Sequence, residues 1–447
     1  MEKDMTVGKP GRLILLFTIP LIIGNIFQQL YSMVDTIIVG RYVGVSALAS
    51  VGLTGPMSFL ILGFVMGLTG GFAVIVAQRF GAKDEDGLRH AVAISIYLCV
   101  FFTIVLTAIG MGTAKIILIA MNTPEDVLTD AYIYIMIIFA GIGATFLYNM
   151  IACILRALGD SRTPLYFLIF SSIVNIVLDL VLIINFNMGV AGAGIATVIS
   201  QGLSGILCVI YTKRKYPILK FQKKDFRFDW TLIQKHLTIG LPMAFQFSIT
   251  AVGVIILQGA LNLFGADYIA GFTAANKVEQ LVSQPANSFG TTMANYTGQN
   301  LGAGKYERIK EGTRKCSIIT LAFAVLAALI VFYFGKDLTL LFVKEGNAKV
   351  LKASREYLNT IAVFLPVLSL LFVYRNVLQG MGRSFVPLMA GVAELVARTI
   401  GAITFPAILG FVGICIAGPF AWILATIPLA IAYFTVMKRI GINSSNK

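Results

Sequence analysis

The sequence predicts an all-α polytopic membrane protein, with twelve transmembrane helices in two pseudo-twofold-related six-helix bundles. Three observations predict it. Of 447 residues 57% are hydrophobic and only 13% charged, against roughly 25% charged in soluble domains. Apolar stretches of about 20 residues, long enough to cross a bilayer, recur along almost the whole chain. Glycines and prolines of the first half also recur in the second at a nearly constant offset.

The spans begin near Leu13, Thr54, His90, Ala131, Pro164, Gly189, Leu237, Tyr268, Cys316, Glu356, Val386 and Phe411. The first apolar run, Leu13 to Val39, is too long for the core of a cleavable signal and lacks a small-residue cleavage site, so it is expected to stay as helix 1. With both termini placed in the cytoplasm, 26 of the 35 Lys and Arg fall in cytoplasmic segments, seven fall outside, and Lys277 and Arg398 lie within spans. Arg375 and Arg383 are counted among the 26 as residues around the end of helix 10. That asymmetry predicts a multi-pass protein of the cell inner (cytoplasmic) membrane with both termini inside.

The longest charged stretch, Lys213 to Lys235, follows six spans. It divides the chain into an N-lobe (1–212), a cytoplasmic linker (213–235) and a C-lobe (236–447). Aligning the lobes sets Pro20 beside Pro242, each early in a first helix. Gly44, Gln78 and Gly81 match Gly265, Gln299 and Gly302; Gly159 and Pro164 match Gly382 and Pro387; Gly192 matches Gly413. Six is an even number, so both lobes enter the membrane from the same side and form a parallel repeat, a plan common in secondary transporters.

Several classes are excluded. The net charge of +14 has no basic, aromatic-interleaved soluble domain through which to hold nucleic acid. The five cysteines show no CxxC spacing and the two histidines sit beside loops, so neither disulfides nor a zinc site is expected. There is no GxxxxGK[ST] loop, no HExxH and no Ser/His/Asp order. The chain therefore reads as neither an ATPase nor an enzyme, needing no cofactor.

Ionisable groups inside spans are costly and point to function. In the N-lobe these are Asp35 and Asp179, with no Lys or Arg inside the six spans to neutralise them. At 1.5 Å per residue, Asp35, Asp179 and Thr197 lie at a similar depth, roughly 8 to 12 Å below the outer ends of their helices. Asn175, four residues before Asp179, shares its face. Asn25, Gln28, Tyr31, Ser32 and Asp35 form a polar stripe along helix 1. Two uncompensated carboxylates among neutral oxygens suit a hard cation such as Na+ or a shared proton; the alternative is a protonated carboxyl bonding a neighbouring helix. In the C-lobe, Lys277 and Glu279 on helix 8 and Glu394 and Arg398 on helix 11 balance in sign. The i,i+4 spacing of Glu394 and Arg398 reads as a structural ion pair, while the rival reading has Glu279 or Glu394 line a substrate path.

The run Leu30-Tyr31-Ser32-Met33-Val34-Asp35-Thr36 with Val39-Gly40, then Gln78 to Lys83, Arg156 to Asp160 before Pro164, Asn175 to Asp179, and Gly192-Ala193-Gly194 resemble the multidrug and toxic compound extrusion (MATE) family over essentially the whole chain. The resemblance implies a two-lobed antiporter exporting organic, often cationic and amphipathic compounds in exchange for H+ or Na+. It further implies the DinF-like branch, with a cation site at Asp35, Asn175, Asp179 and Thr197 and a helix 1 bend at Pro20. Gln28 and Tyr31 of the helix 1 stripe, with Glu279 and Glu394, are the candidate lining of a substrate cavity. The helix 7 acid of the sodium-binding branch is replaced here by Thr250, which concentrates coupling in the N-lobe. Four side chains fall short of the five or six oxygens a well-bound alkali ion takes, by analogy with harder cations, and this tilts the expectation toward H+. The expected partners are small molecules and the lipid bilayer, for a monomer that needs no ATPase subunit. The alternative is a flippase for a lipid-linked or amphipathic metabolite of the same broader superfamily; a passive channel fits poorly without a re-entrant filter loop.

Overall fold

A computed structural model describes residues 4–121, 123–343 and 348–445. Its thirteen α-helices are α1 (Pro10–Ile38), α2 (Val45–Gly81), α3 (Glu85–Ala120), α4 (Glu125–Ala140), α5 (Ile142–Ala157), α6 (Arg162–Leu180), α7 (Gly189–Lys215), α8 (Trp230–Leu261), α9 (Ala266–Gly302), α10 (Tyr306–Leu340), α11 (Ala348–Gly380), α12 (Phe385–Leu409) and α13 (Phe411–Ser445). No strand occurs among the described residues.

The helices follow the predicted spans in order, with two physical differences. First, the fourth span is two helices: α4 and α5 meet at Gly141 with a 46° bend. A Cβ there would collide with Val198 of α7, so the glycine lets α7 press into the corner, and the apolar run conceals the break. Second, most helices start before their apolar stretch, as α2 does at Val45 and α8 at Trp230, because helical hydrogen bonding continues into polar residues where hydropathy stops. Among the described residues ten helices are long and apolar enough to cross a membrane, and the bent α4–α5 pair makes up to eleven. The remaining expected span, the eighth, corresponds to α9, whose 37 residues suffice in length but are more polar than the other spans. Pro20 lies inside α1, which continues through it.

The chain forms two compact units. Unit 1 holds Ile19–Ser248; unit 2 holds Met5–Thr18 and the chain from Ile249 onward. α1 thus begins in unit 2 and continues in unit 1, and α8 does the reverse.

In unit 1 a core built on Leu68, Phe72, Ile75, Leu88, Phe139 and Phe146 joins α2, α3, α4 and α5. α2 approaches the first half of α8 backbone to backbone: a Cβ on Gly67 would lie 2.5 Å from the Ala244 Cα, and one on Gly71 2.5 Å from the Gly240 Cα. Small residues permit such close crossings. The charged stretch between α7 and α8 is ordered into two short 3-10 turns, Pro217–Leu219 and Lys223–Phe226, and belongs to unit 1. Tyr216 and Leu219 are buried, and the Tyr216 hydroxyl donates to Asp160, which also accepts from the Arg162 amide at 3.0 Å and from the Thr163 amide at 3.0 Å and hydroxyl at 2.6 Å. Both histidines are buried here: His90 Nδ1 bonds the Asp225 carbonyl at 2.8 Å and His236 Nε2 the Ala91 carbonyl at 3.2 Å.

In unit 2, α9 packs on α11 through three glycines. A Cβ on Gly271 would lie 2.6 Å from the Val350 carbonyl oxygen, one on Gly290 2.5 Å from Asn376 Nδ2, and one on Gly380 2.5 Å from the Ala294 carbonyl oxygen. The segment before α1 is fastened to the α9–α10 turn. The Met5 amide donates to Gln299 Oε1 at 2.8 Å, Lys305 Nζ to the Thr6 carbonyl at 2.9 Å, and Arg308 Nη1 to the Gly8 carbonyl at 2.9 Å.

Candidate functional site

Three elements of unit 1 bring the predicted cation residues together. α1 supplies Tyr31 and Asp35, α6 supplies Asn175 and Asp179, and α7 supplies Thr197. Asn175 and Asp179 are fully buried, one helical turn apart on the same face. Asn175 Nδ2 donates to Thr197 Oγ1 at 3.3 Å, and the Tyr31 hydroxyl lies 3.5 Å from the same oxygen. The carboxyls of Asp35 and Asp179 are near enough that each acts electrostatically on the other.

Both acids sit just before a change of helical pitch. α1 passes into a π-helical turn at Val39–Val43 and α6 into another at Val181–Asn185. Such turns are frequent at functional sites, because they re-aim side chains within a helix. An apolar cluster of Ile38, Val39, Ala47, Ile183, Val190 and Ala193 packs around them.

The buried oxygens Asp35 Oδ1, Asn175 Oδ1 and Asp179 Oδ1 and Oδ2 have no hydrogen-bond partner. Buried oxygens in this state need a donor or a positive charge. No Lys or Arg pairs with either acid among the described residues, so the group of oxygens fits a proton or a small cation. No cluster of three or more His, Cys, Asp or Glu able to hold a metal occurs among them either.

Tyr134 of α4 is a neighbour that sequence reasoning missed; Asp35, Tyr31 and Asp179 all act electrostatically on it. It lies in the apolar run Tyr132-Ile133-Tyr134-Ile135, where a tyrosine reads as lipid-facing surface.

Gln28, one of the residues expected at a substrate path, is exposed, and Tyr31 is part of the Thr197 cluster. In unit 2 Glu279 accepts from the Tyr357 hydroxyl and from Asn276 Nδ2 at 3.4 Å. Lys277 is exposed and makes no ion pair with Glu279, since two residues apart on a helix point in different directions. Glu394 and Arg398 form the expected pair at 2.8 Å, and a third member joins them: Arg375 of α11 reaches Glu394 at 2.9 Å. Arg375 counts as a cytoplasmic charge by position, but the structure buries it, because its side chain reaches back from the end of α11 to α12.

Fold and site together define a multi-pass helical membrane protein built around a buried, uncompensated acid pair. Comparison with known proteins specifies it further. The MatE family model matches residues 20–181 and again 242–404, the two matches starting at Pro20 and Pro242. The chain belongs to the MATE family of membrane transporters and is not an enzyme. It is 31% identical over 74% of its length to the probable multidrug resistance protein YoeA of Bacillus subtilis, covering 73% of that protein. To YpnP, a probable multidrug resistance protein of the same organism, it is 28% identical, covering 85% of this chain and 84% of that one. A solved outward-facing multidrug resistance MATE transporter of the MOP superfamily shares the fold, with a TM-score of 0.91 at 23% identity over 98% of both chains.

Proposed function

We propose that the protein is a secondary antiporter that exports organic, often cationic and amphipathic compounds in exchange for H+ or Na+ bound at Asp35, Asn175, Asp179 and Thr197. The observation that carries this is the set of four buried, unpartnered oxygens around the acid pair. One cluster serves either ion: a proton on one carboxyl removes the like-charge repulsion, and a sodium ion is held by the same oxygens. The small number of side-chain ligands favours H+. Coupling requires the ion to bind one conformational state better than the other, and release of the ion accompanies drug binding. The likeness of the chain to multidrug resistance proteins supports the substrate class.

The proposal extends to a DinF-like monomer in the inner membrane with cytoplasmic termini, whose lobes 1–212 and 236–447, joined by the linker 213–235, move against each other around a central site. Gln28, Tyr31 and Glu279 are its candidate substrate contacts. Glu394 is held by two arginines, which supports a structural role for it. Flippase activity is the second reading, disfavoured because the site is anionic and does not suit a pyrophosphate.

Efflux from proteoliposomes tests the coupling. An imposed pH gradient without sodium is expected to drive cationic dye export, and sodium at constant pH to compete or substitute. Transport driven by sodium alone, with no proton released on substrate addition, overturns the shared site.

A further inference from the structure

The exposed side of α9 in unit 2 is polar. Thr273, Lys277, Gln280 and Asn287 are exposed on it and Gln284 and Thr291 half-buried. They are spaced alternately four and three residues apart, which places them in one stripe along one side of the helix. No Leu, Ile, Val, Phe or Met of α9 is fully exposed among the described residues, and Leu281 and Val282 are half-buried. The other spans of unit 2 do the opposite. α10 exposes Ile318, Phe323, Leu326, Ile330 and Phe334, and α12 exposes Val396, Ile400 and Ile403, an apolar surface that suits lipid.

The stripe lies at membrane depth. From Thr273 to Thr291 it runs about 27 Å at 1.5 Å per residue, close to the roughly 30 Å of a bilayer's hydrocarbon core. The close approaches of Gly271 to Val350 and of Gly290 to Asn376 bracket it against α11, a helix apolar enough to cross a membrane. Hydrocarbon solvates neither side-chain amides nor an ammonium group, and Lys277 has no carboxylate partner among the described residues. This side of α9 therefore faces water.

Two amides on it are open. Gln280 Nε2 donates to Asn276 Oδ1 at 2.9 Å. Gln284 and Asn287 accept through their backbone carbonyls, from the Ser288 hydroxyl at 2.9 Å and the Thr291 hydroxyl at 3.2 Å, and their side-chain amides bond to no protein group among the described residues. The stripe carries no carboxylate, so a coupling cation finds no counter-charge on it.

We infer that this face is the wall on which the exported compound binds in unit 2, with Gln284 and Asn287 as specificity-determining contacts for a neutral hydrogen-bonding group of that compound, a carbonyl, hydroxyl or amide. The inference rests on the reading that the protein exports organic compounds. A side-chain amide both donates and accepts, so the pair serves solutes of varied polarity. A compound without such a group leaves the amides to water and gains nothing from them, so the wall discriminates by hydrogen bonding and not by charge.

Two measurements on the full-length protein test it. In nanodiscs, where both membrane faces are open to reagent, Gln284→Cys and Asn287→Cys in a Cys-free variant are expected to react with a charged methanethiosulfonate, while Val396→Cys of α12 does not. A rhodamine methyl ester, which carries a carbonyl, is expected to slow the first two reactions. No reaction at Gln284→Cys and Asn287→Cys places the face against lipid or protein, and reaction without protection leaves it wetted only; either result overturns the inference. In proteoliposomes, Gln284→Leu and Asn287→Leu are each expected to raise the KM for the rhodamine about fivefold relative to that for tetraphenylphosphonium, a cation with no hydrogen-bonding group, which is the worth of one neutral hydrogen bond. Equal shifts for the two cations overturn the inference. Protection in a protein that moves neither cation overturns the export reading alone, and transport without protection overturns this inference alone.

Discussion

Asn175 Nδ2 donates to Thr197 Oγ1 at 3.3 Å, tying α6 to α7 one helical turn from Asp179. That bond uses the amide nitrogen and leaves the Asn175 carbonyl oxygen, like the oxygens of the acid pair, a buried acceptor without a donor. Asp35→Asn and Asp179→Asn each remove one titratable oxygen pair at constant volume. Both are expected to abolish resistance to cationic dyes in expressing cells while the protein still reaches the membrane. Full activity in Asp35→Asn overturns the assignment.

The Glu394 triad predicts a different phenotype. Glu394→Gln leaves Arg375 and Arg398 as two buried like charges without their common partner, a loss of about 3–5 kcal/mol for a broken buried pair. The expected result is a lower unfolding midpoint and poor yield, partly recovered by adding Arg398→Gln. A Glu394→Gln protein of normal stability that cannot transport would instead place Glu394 on the substrate path.

Asp160 predicts a pH dependence. Burial pushes its carboxyl up, but the hydrogen bonds from Thr163, Tyr216 and the Arg162 amide outweigh burial and hold it below its ordinary value of 3.8. A depressed carboxylate stabilises the folded state fully above its unfolded value, and the contribution is lost as pH falls through the folded value. Asp160→Asn is expected to cost about 1.5–3 kcal/mol at neutral pH, the range for hydrogen bonds to a charged group. Unfolding followed from neutral to acid pH should show the gap between wild type and variant close at the acid end. A gap independent of pH would mean that the carboxylate charge contributes nothing.

Orientation is checked by labelling. A cysteine placed at Lys220 in a Cys-free variant is expected to react only with reagents admitted to the cytoplasmic side. Labelling of intact cells from outside reverses the topology.

The helix order and the acid pair were legible in the sequence, because apolar length and a carboxylate without a nearby cation are both properties of single segments. What stayed hidden depends on geometry between segments. Gly141 is one glycine among 43, and only the approach of Val198 reveals that it bends the fourth span. Arg375 is five residues from the end of α11 and reads as a loop cation until its reach to Glu394 is seen. Tyr134 joins the acid pair from an apolar run that carries no polar stripe, and the two π-helical turns leave no compositional trace.

The exchange of helix beginnings between the units bears on how the chain is made. Every residue of unit 1 from Ile19 to Ser248 emerges from the ribosome in one continuous stretch, and domains tend to fold as they emerge. Met5 to Gly8 emerge ahead of that stretch, yet their partners Gln299, Lys305 and Arg308 are synthesised 294 to 300 residues later. That opening segment therefore waits, without these partners, through the synthesis of an entire unit. A gene cut within the linker would leave each fragment carrying the opening segment that the other needs, so the two fragments are expected to reach their mature form only when expressed together.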